Sequence, residues 1–415
     1  MLPRYSIRSP DKHMAIVTQK HRKRPGKLLK RIRAAVQAGK WKKARRLSED
    51  WLRSLEAKRL SVRLSYRKMR AHQRPKKSEL DAIAEHLDPW KGSNEVAYVA
   101  KRAKEHKPHN YRLTIDFGIK NRALQYLVLL VLRELVGLHP SQYQTNPYGP
   151  RGTHPAIEQV KKALSEGYVR AIEYDIKDCY PSFNGKELSN FLPLPKKVIE
   201  AVLSGEHLNL KGGYSLLHTS GSVGCEGDDD WSPDQLNEAL VRARRGIPQG
   251  SAASPFVAEA VLSPTLHQIP KIGVVVAYAD NILILAKTKG DVVSRSKSLW
   301  SALEAHPVGP LYSKMKCFDP GEPIEFLGHK LTAKNGVVHI EPDDHNLEKF
   351  TDRVASELAD LNKTPLTSAT RKKRIERLEA KISSWADGAF RLCHNVKALK
   401  AQWLAQAKAQ GHESP

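Results

Sequence analysis

Two apolar stretches that each lead to an aspartate constrain the fold of this chain more than any other feature. Short runs of Val, Ile and Leu are typical of buried strands, and they predict strands over Val169–Tyr174, Gly273–Ala277 and Ile282–Ala286. Asp175 follows the first strand, and Asp280 lies in a turn-like segment between the other two. Either aspartate alone is consistent with a strand cap or a hairpin tip. Together they predict a sheet on which two carboxylates converge.

A glycine-rich segment between the two aspartates adds a second constraint. Gly246-Ile247-Pro248-Gln249-Gly250 precedes a helix predicted over Pro255–Leu262, and glycines without a Cβ let backbone approach a nucleotide closely. Phosphoryl transfer with two divalent cations needs carboxylates on rigid elements, because one cation activates a 3′-hydroxyl and the other braces the triphosphate. The two aspartates and the loop therefore favour nucleotidyl transfer.

The three segments, in this order, resemble those of the reverse transcriptases of bacterial group II introns, retrons and their defence-associated relatives. The family motif Asp-Ile-x-x-x-Phe/Tyr is matched by Asp175, Ile176 and Tyr180. The motif Gly-Ile/Leu-Pro-Gln-Gly-Ser-x-x-Ser-Pro is matched over 246–255, and the Tyr-x-Asp part of Tyr-x-Asp-Asp is matched over 278–280. The middle match is highly specific. The resemblance covers most of the chain, from Leu28 to Ala389, and is strongest from Arg112 to Leu331.

This resemblance implies an α+β fold of the right-hand polymerase type, with fingers, a palm of antiparallel sheet plus helices, and a helical thumb. The implied divisions are a basic helical extension and linker over 1–107, fingers and palm over 108–340 with an insertion near 211–234, and a helical thumb over 341–415. It also implies Mg²⁺ as the cofactor, with Mn²⁺ as an alternative, and dNTPs as substrates.

The family motifs imply a role for each matching residue. Asp175 and Asp280 are the implied catalytic metal ligands, joined at the metal site by Ile176 and Asn281. The implied nucleotide-binding residues are Arg112 at the triphosphate, Tyr180 under the sugar, Gln249, Gly250, and Lys316 near the leaving pyrophosphate. Phe326, Leu327 and Gly328 match the primer-grip hairpin. Without the motifs, Arg112 and Lys316 are also consistent with solvated charges, and Tyr180 with a core residue.

Asn281 departs from the family, which has a second Asp at this position. The substitution removes one negative charge from a cation site, but an amide oxygen is still a hard ligand. We expect a changed metal preference rather than an inactive enzyme. A polymerase fold retained only for binding is the alternative.

Charge gives an independent indication of the partner. The 415 residues carry a formal net charge of +25, and thirteen Lys or Arg lie between Lys20 and Arg46 with no Asp or Glu. Such a surplus favours a polyanion, since neutralised phosphates release counterions, although a solvated basic helix has the same composition. The residues predicted to bind nucleic acid here are Arg31, Arg33, Lys42, Lys43, Arg45 and Arg46.

The remaining features narrow the type of protein. The four cysteines form no C-x-x-C pair, and no apolar run reaches membrane length, which favours a cytoplasmic protein without a membrane partner. A Cys-rich endonuclease module and a Gly-x-Asp-Gly element are both missing. We therefore expect a stand-alone bacterial enzyme that copies a structured or non-coding RNA into DNA, in antiviral defence. A maturase-like RNA-binding protein and a template-independent DNA polymerase remain open, as does homo-oligomerisation.

Overall fold

The computed structural model describes residues 19–104, 107–137, 143–145, 153–212, 232–334, 336–363 and 367–412. Most of the insertion predicted near 211–234, namely 213–231, lies outside these residues. Within the described ranges, none of the helices combines the length and the apolar character needed to span a bilayer.

Helices and strands alternate irregularly along the chain. The helices are α1 (Gln19–Gln37), α2 (Trp41–Arg53), α3 (Leu55–Lys68), α4 (Leu80–Glu85), α5 (Ile119–Val136), α6 (Thr153–Ser165), α7 (Cys179–Ser182), α8 (Lys196–Leu203), α9 (Pro233–Ala243), α10 (Ser254–Gln268), α11 (Lys289–Glu304), α12 (Asp344–Lys363), α13 (Ser368–Ser383) and α14 (Val396–His412). The strands are β1 (Ala97–Lys104), β2 (Lys107–Asp116), β3 (Arg170–Ile176), β4 (Leu210–Gly212), β5 (Val274–Tyr278), β6 (Asn281–Ala286), β7 (Ser313–Phe318), β8 (Ile324–Phe326), β9 (His329–Lys334) and β10 (Val337–Pro342).

A four-stranded antiparallel sheet with the order β5-β6-β3-β7 carries the two aspartates. The three strands predicted from the apolar runs are confirmed as β3, β5 and β6, and the helix predicted over 255–262 is confirmed as part of α10. Side chains alternate between the faces of a strand. Tyr174 and Ile176 therefore enter the core beneath α10 and α11, whereas Glu173 and Asp175 share the opposite face.

The amino-terminal helices α1 to α3 pack against α5 and belong to the largest hydrophobic core. Trp51 is fully buried, and its indole Nε1–H donates to the carbonyl of Leu127 at 2.9 Å. Arg33 makes a bidentate ion pair with Glu134 of α5, at 2.6 and 2.8 Å. These helices therefore share one core with the central sheet.

Two further sheets flank the central one. A three-stranded sheet with the order β2-β1-β4 packs on α9, and its core includes Val99, Ile115 and Phe117. The second, with the order β10-β9-β8, packs on α6. Beyond it, α12 to α14 form a separate helical core. Trp385 joins this helical core to the neighbouring one, because its ring stacks on Phe350 with the centroids 4.5 Å apart and also lies in the cluster around α6.

Candidate active site

The sheet brings the two predicted catalytic aspartates to one edge. Asp175 lies near the end of β3, directly across from Asn281 at the start of β6. Asp280 occupies the two-residue turn that joins β5 to β6, since Tyr278 pairs with Asn281 across that hairpin. The adjacent strand β7 places Lys314 opposite Asp175. The antiparallel register therefore sets both carboxylates at the same end of the sheet.

A cavity of about 520 Å³ opens at this edge. Its walls come from β2, the β3–α7 segment, the end of α9 with the loop that follows it, the β5–β6 turn and β7. The predicted site residues that line it are Arg112, Asp175, Ile176, Tyr180, Gln249, Gly250 and Asp280. Side chains distant in sequence thus converge on one space.

Burial and neighbouring negative charge raise the pKa of two carboxyl groups near Asp175. Burial raises the pKa of Asp280, and the negative charge of Asp175 raises it further, whereas Arg112 and a backbone hydrogen bond oppose the shift. Burial also raises the pKa of Glu173 to about 7, with a further contribution from Asp175. Carboxylates that repel one another in a confined space provide a favourable position for cations.

Two positions of the glycine loop, Gly246 and Gly250, lie in close contact with neighbouring backbone. At Gly246, φ is 63° and an added Cβ would lie 2.0 Å from the carbonyl oxygen of Tyr180. At Gly250, φ is 104° and a Cβ would lie 2.3 Å from the carbonyl oxygen of Ile115. Both positions require glycine because the φ is left-handed and there is no room for a side chain. The loop is thereby clamped between β2 and α7.

Hydrogen bonds fix the same loop on both sides. The Ile115 N–H donates to the Gln249 carbonyl at 2.8 Å, and the Ile247 N–H donates to the Tyr180 carbonyl at 3.0 Å. From the first residue of α10, the Ser254 hydroxyl donates to the Pro248 carbonyl of the loop at 2.8 Å. The hydrogen bond to the Tyr180 carbonyl therefore fixes the backbone of this residue, and its half-buried ring lines the cavity.

Several charged residues in the cavity were missed by sequence reasoning. They are Lys177, Asp178, Arg242, Arg245 and Lys314. Arg242 donates to Asp178 at 2.8 Å, which ties α9 to the segment between β3 and α7. In a chain so rich in Lys and Arg, only the motifs distinguish a basic side chain of the site from the others, and Arg242 lies outside the motifs. Alternation along β7 could have indicated Lys314, since it faces Asp175.

Lys316, the lysine predicted at the pyrophosphate, lies one pleat further along β7 than the cavity. It is opposite Glu173 in the register, and its Nζ makes an ion pair with Glu325 at 2.5 Å. Among the described residues, the lysine that β7 contributes to the cavity wall is Lys314. The structure thus places Lys314, and not Lys316, beside Asp175.

The predicted primer-grip residues form a tight hairpin outside the cavity. Phe326 pairs with His329, so Leu327 and Gly328 make a two-residue turn between β8 and β9. Their φ values are 49° and 79°, which is the pattern of a type I′ turn. The Phe326 side chain is buried in the core around α6. A rigid hairpin is therefore present, and its contact with a primer stays a prediction.

The predicted nucleic-acid-binding residues of the amino-terminal helices divide into two kinds. Arg31, Lys42, Lys43, Arg45 and Arg46 are exposed. Arg33 differs, because it is half-buried and held by Glu134, which raises its pKa through the hydrogen bond between them. This ion pair supports the packing of α1 on α5, so Arg33 has a structural partner that its exposed neighbours lack within the described part of the chain, and its contact with nucleic acid stays a prediction.

The donor set fits a divalent cation of the Mg²⁺ type. Asp175 and Asp280 line the cavity with carboxylates, which are hard oxygen donors, and Ile176 lines it as well. Asn281 pairs with Asp175 across the strands but is not among the residues that line the cavity. No group of three or more His, Cys, Asp or Glu side chains suited to a metal occurs in the described ranges. Two carboxylates that leave further positions to water and substrate suit Mg²⁺ better than a closed protein cage.

Sequence comparison identifies the family to which this site belongs. The profile of the family described as reverse transcriptase (RNA-dependent DNA polymerase) matches residues 100–331, more than half of the chain. The chain belongs to the reverse transcriptase family. Its members are RNA-directed DNA polymerases, a class of nucleotidyltransferase. The match includes most of β1, all of β2 to β8 and α5 to α11, and every predicted residue of the cavity. No curated protein matches the sequence.

Two solved telomerase structures are similar to this chain. The telomerase of Candida albicans, in complex with the TWJ fragment of telomeric RNA, aligns at 9% identity over 81% of this chain and 62% of its own, with a TM-score of 0.37. The apo telomerase of Candida tropicalis, truncated from the C-terminal domain, aligns at 11% identity over 61% of this chain and 56% of its own, with a TM-score of 0.36. This chain spans less than two thirds of the length of either telomerase.

Proposed function

We propose that this protein is an RNA-directed DNA polymerase that adds dNTPs to a 3′-hydroxyl with two divalent cations. The observation that carries the proposal is the convergence of Asp175 and Asp280 with Arg112, Tyr180 and Gln249 on one cavity. Each of these residues stands at a family motif position. The cavity thus combines carboxylates for cations, a guanidinium for phosphate and a ring for the sugar.

The residues of the chain have distinct roles in this reaction. Bound divalent cations would activate the 3′-hydroxyl and stabilise charge on the phosphates. Arg112 lies close enough to Asp280 for its charge to oppose the rise that burial causes in the Asp280 pKa, and it is placed to hold the triphosphate by charge-assisted hydrogen bonds. Tyr180 rejects a 2′-hydroxyl by bulk, because its backbone is fixed by the glycine loop. Lys314, which lies on β7 opposite Asp175 of β3, supplies further positive charge beside the reacting phosphates.

The template is proposed to be a structured RNA held partly by the exposed basic side chains of α1 and α2. Their charges lie on the outer face of helices whose inner face is fixed in the core. The proposal extends to a stand-alone bacterial enzyme of the group II intron, retron or defence-associated type, acting in the cytoplasm with its own RNA in antiviral defence. Its basis is the motif order, with Tyr-Ala-Asp-Asn at 278–281.

The decisive experiment is to sequence the nucleic acid that co-purifies with the protein, before and after dNTPs and Mg²⁺ are added. We expect new DNA complementary to a bound RNA, and none with Asp175→Asn. DNA unrelated to any bound RNA would indicate template-independent synthesis instead. Bound RNA with no extension, with Mg²⁺ or Mn²⁺ and with a supplied annealed primer, would contradict catalysis and favour a binding protein that keeps the polymerase fold.

A further inference from the structure

A buried glutamine outside the cavity contacts the turn that carries Asp280. Residues 143–145 run parallel to β5 at its outer edge, where Gln144 forms an isolated bridge with Ala277. The Thr145 N–H donates to the Ala277 carbonyl at 2.8 Å, and the Ala277 N–H donates to the Tyr143 carbonyl at 2.7 Å. This short segment therefore extends the central sheet beside the catalytic hairpin.

The carboxamide of Gln144 reaches past the strand to the turn. Its Nε2–H donates to the carbonyl oxygen of Ala279 at 3.2 Å, and the side chain is fully buried. Its Oε1 is buried and makes no hydrogen bond with the described part of the chain. Burying an amide without satisfying it fully costs stability. A glutamine at this position is thus poorly explained by packing alone.

The carbonyl that Gln144 holds belongs to the central peptide of a strained turn. Of the two turn residues, Ala279 alone has a positive φ, of 54°, and Asp280 does not. This is the pattern of a type II′ turn, in which the first central position normally requires glycine. A rotation of the peptide between Ala279 and Asp280 would convert it to a type I′ turn, in which both residues have positive φ. The orientation of that peptide also sets the φ of Asp280.

We infer that Gln144 is a positioning residue for catalysis, which holds the Ala279–Asp280 peptide in one orientation and thereby aims the Asp280 carboxylate into the cavity. The hydrogen bond selects one of two turn conformations of a hairpin that has alanine where glycine is favoured. Gln144 itself does not line the cavity. This inference rests on the proposed function, but its effect on the hairpin can be measured without activity.

The test compares Gln144→Met with Thr145→Val. Gln144→Met keeps the volume and removes the donor, and we expect kcat for dNTP incorporation to fall about fivefold, the factor that corresponds to one hydrogen bond. The KM for dNTP should stay the same, because Arg112 and Tyr180 are untouched. Thr145→Val also removes a hydrogen bond to this strand, from Oγ1 to the Ala277 carbonyl at 3.1 Å. Since the Thr145 N–H still bonds that carbonyl, activity should remain at the wild-type level.

A second substitution separates positioning from general destabilisation. Ala279→Gly relieves the positive φ, so the turn needs less support, and the fivefold loss should largely disappear in the Ala279→Gly background. Gln144→Glu offers a further check. Its carboxyl can donate to the Ala279 carbonyl only when it is protonated, so its activity relative to wild type should rise as the pH is lowered.

Hydrogen exchange provides the readout that needs no catalysis. In EDTA, Gln144→Met should speed amide exchange in peptides that cover β5, the turn and β6, whereas Thr145→Val should not change it at the turn. Unchanged exchange at the turn, or a loss of kcat that the Ala279→Gly background does not reduce, would overturn the positioning role. If the wild-type protein shows slow amide exchange at the turn but incorporates no dNTP, the proposed function is wrong. The exchange rates of Gln144→Met and Thr145→Val would then still decide whether Gln144 holds the turn.

Discussion

The cavity and the amino-terminal helices use charge in opposite ways. In the cavity, burial and then the negative charge of Asp175 raise the pKa of Asp280, and backbone hydrogen bonds hold the loops around it. In α1 and α2, one face is apolar and is buried against α5, and exposed Lys and Arg side chains lie on the other side of the helices. Negative charge is therefore concentrated inside the cavity in the first region, whereas positive charge lies on the surface, outside the core, in the second.

This contrast indicates where a substitution should act. In the proposed reaction, residues of the cavity contribute chemistry at some expense of stability, so their loss should spare the fold. The apolar side chains of α2 contribute stability, so their loss should spare the chemistry of molecules that remain folded. The exposed charges of the helices contribute neither, and they should affect only what binds there. Five experiments test this division.

The greatest loss of activity should follow removal of either aspartate. Asp175→Ala and Asp280→Ala should each reduce dNTP incorporation by about a thousandfold or more, since several kcal/mol of charge stabilisation are removed. Thermal unfolding in EDTA should be unchanged or occur at a higher temperature, because the folded state no longer holds repelling carboxylates. A large drop in Tm would place these residues with the core instead.

The second experiment makes the opposite substitution. Trp51→Ala removes a fully buried ring and its hydrogen bond to Leu127, and it should lower the free energy of unfolding by about 3 to 5 kcal/mol. The kcat of the folded fraction at low temperature should stay close to wild type. Denaturant titration with a parallel activity assay measures both quantities. A kcat loss as large as that of Asp280→Ala would mean that α2 and the cavity are not separable.

The third experiment concerns the exposed charges of α1 and α2. Converting Arg31, Lys42, Lys43, Arg45 and Arg46 to Gln should weaken RNA binding and flatten its salt dependence by about 0.7 to 0.9 per lost phosphate contact. Extension of a short pre-annealed primer at saturating concentration should survive, because the cavity is unchanged.

The matched control for those charges is Arg33→Gln on the same surface. Since Arg33 is committed to Glu134, its loss should lower stability and leave the salt slope unchanged. An unaltered slope in the five-residue variant as well would make α1 and α2 a solvated face and assign RNA capture to another surface.

The fourth experiment changes selectivity within the cavity. Tyr180→Val removes the ring proposed to exclude a 2′-hydroxyl, and it should raise the use of rNTP relative to dNTP by about tenfold or more. The α7 backbone should keep its place, because Ile247 and Gly246 contact the Tyr180 carbonyl rather than its ring. Competition assays with labelled dNTP and rNTP measure the ratio. An unchanged ratio would return Tyr180 to a packing role.

The cavity could be predicted further from the sequence than the helices could. A motif fixes residue type and spacing together, so Asp175, Tyr180, Gln249 and Asp280 converged as expected. Lys316 shows the limit of this approach. Two lysines lie one pleat apart on β7, and only the register with β3 reveals that Lys314 is the one opposite Asp175.

Charge runs and long-range contacts lie beyond such patterns. The sequence does not reveal that Arg33, unlike its basic neighbours, meets Glu134, because the two are 101 residues apart and neither belongs to a motif. Gln144 is hidden for the same reason, since its contact with Ala279 spans 135 residues. The contacts that hold a site in place are spread over the fold, whereas the residues that carry the chemistry are concentrated in short segments.

The mildest change we expect is a pH dependence of stability at Glu173, on the face of β3 that carries Asp175. Burial first, and then the charge of Asp175, raise the pKa of this carboxyl to about 7 in the folded chain, whereas Lys316 acts in the opposite direction. A folded-state pKa above the unfolded one means that the stability present in acid is lost as the pH rises through the folded pKa. Glu173→Gln cannot ionise and escapes that loss. In EDTA, its unfolding free energy should match wild type near pH 4.5 and exceed it by about 1 to 2 kcal/mol above pH 8. A constant difference across this range would show that the pKa of Glu173 is not raised in the folded chain, with the charge of Lys316 outweighing burial, Asp175 and Glu325.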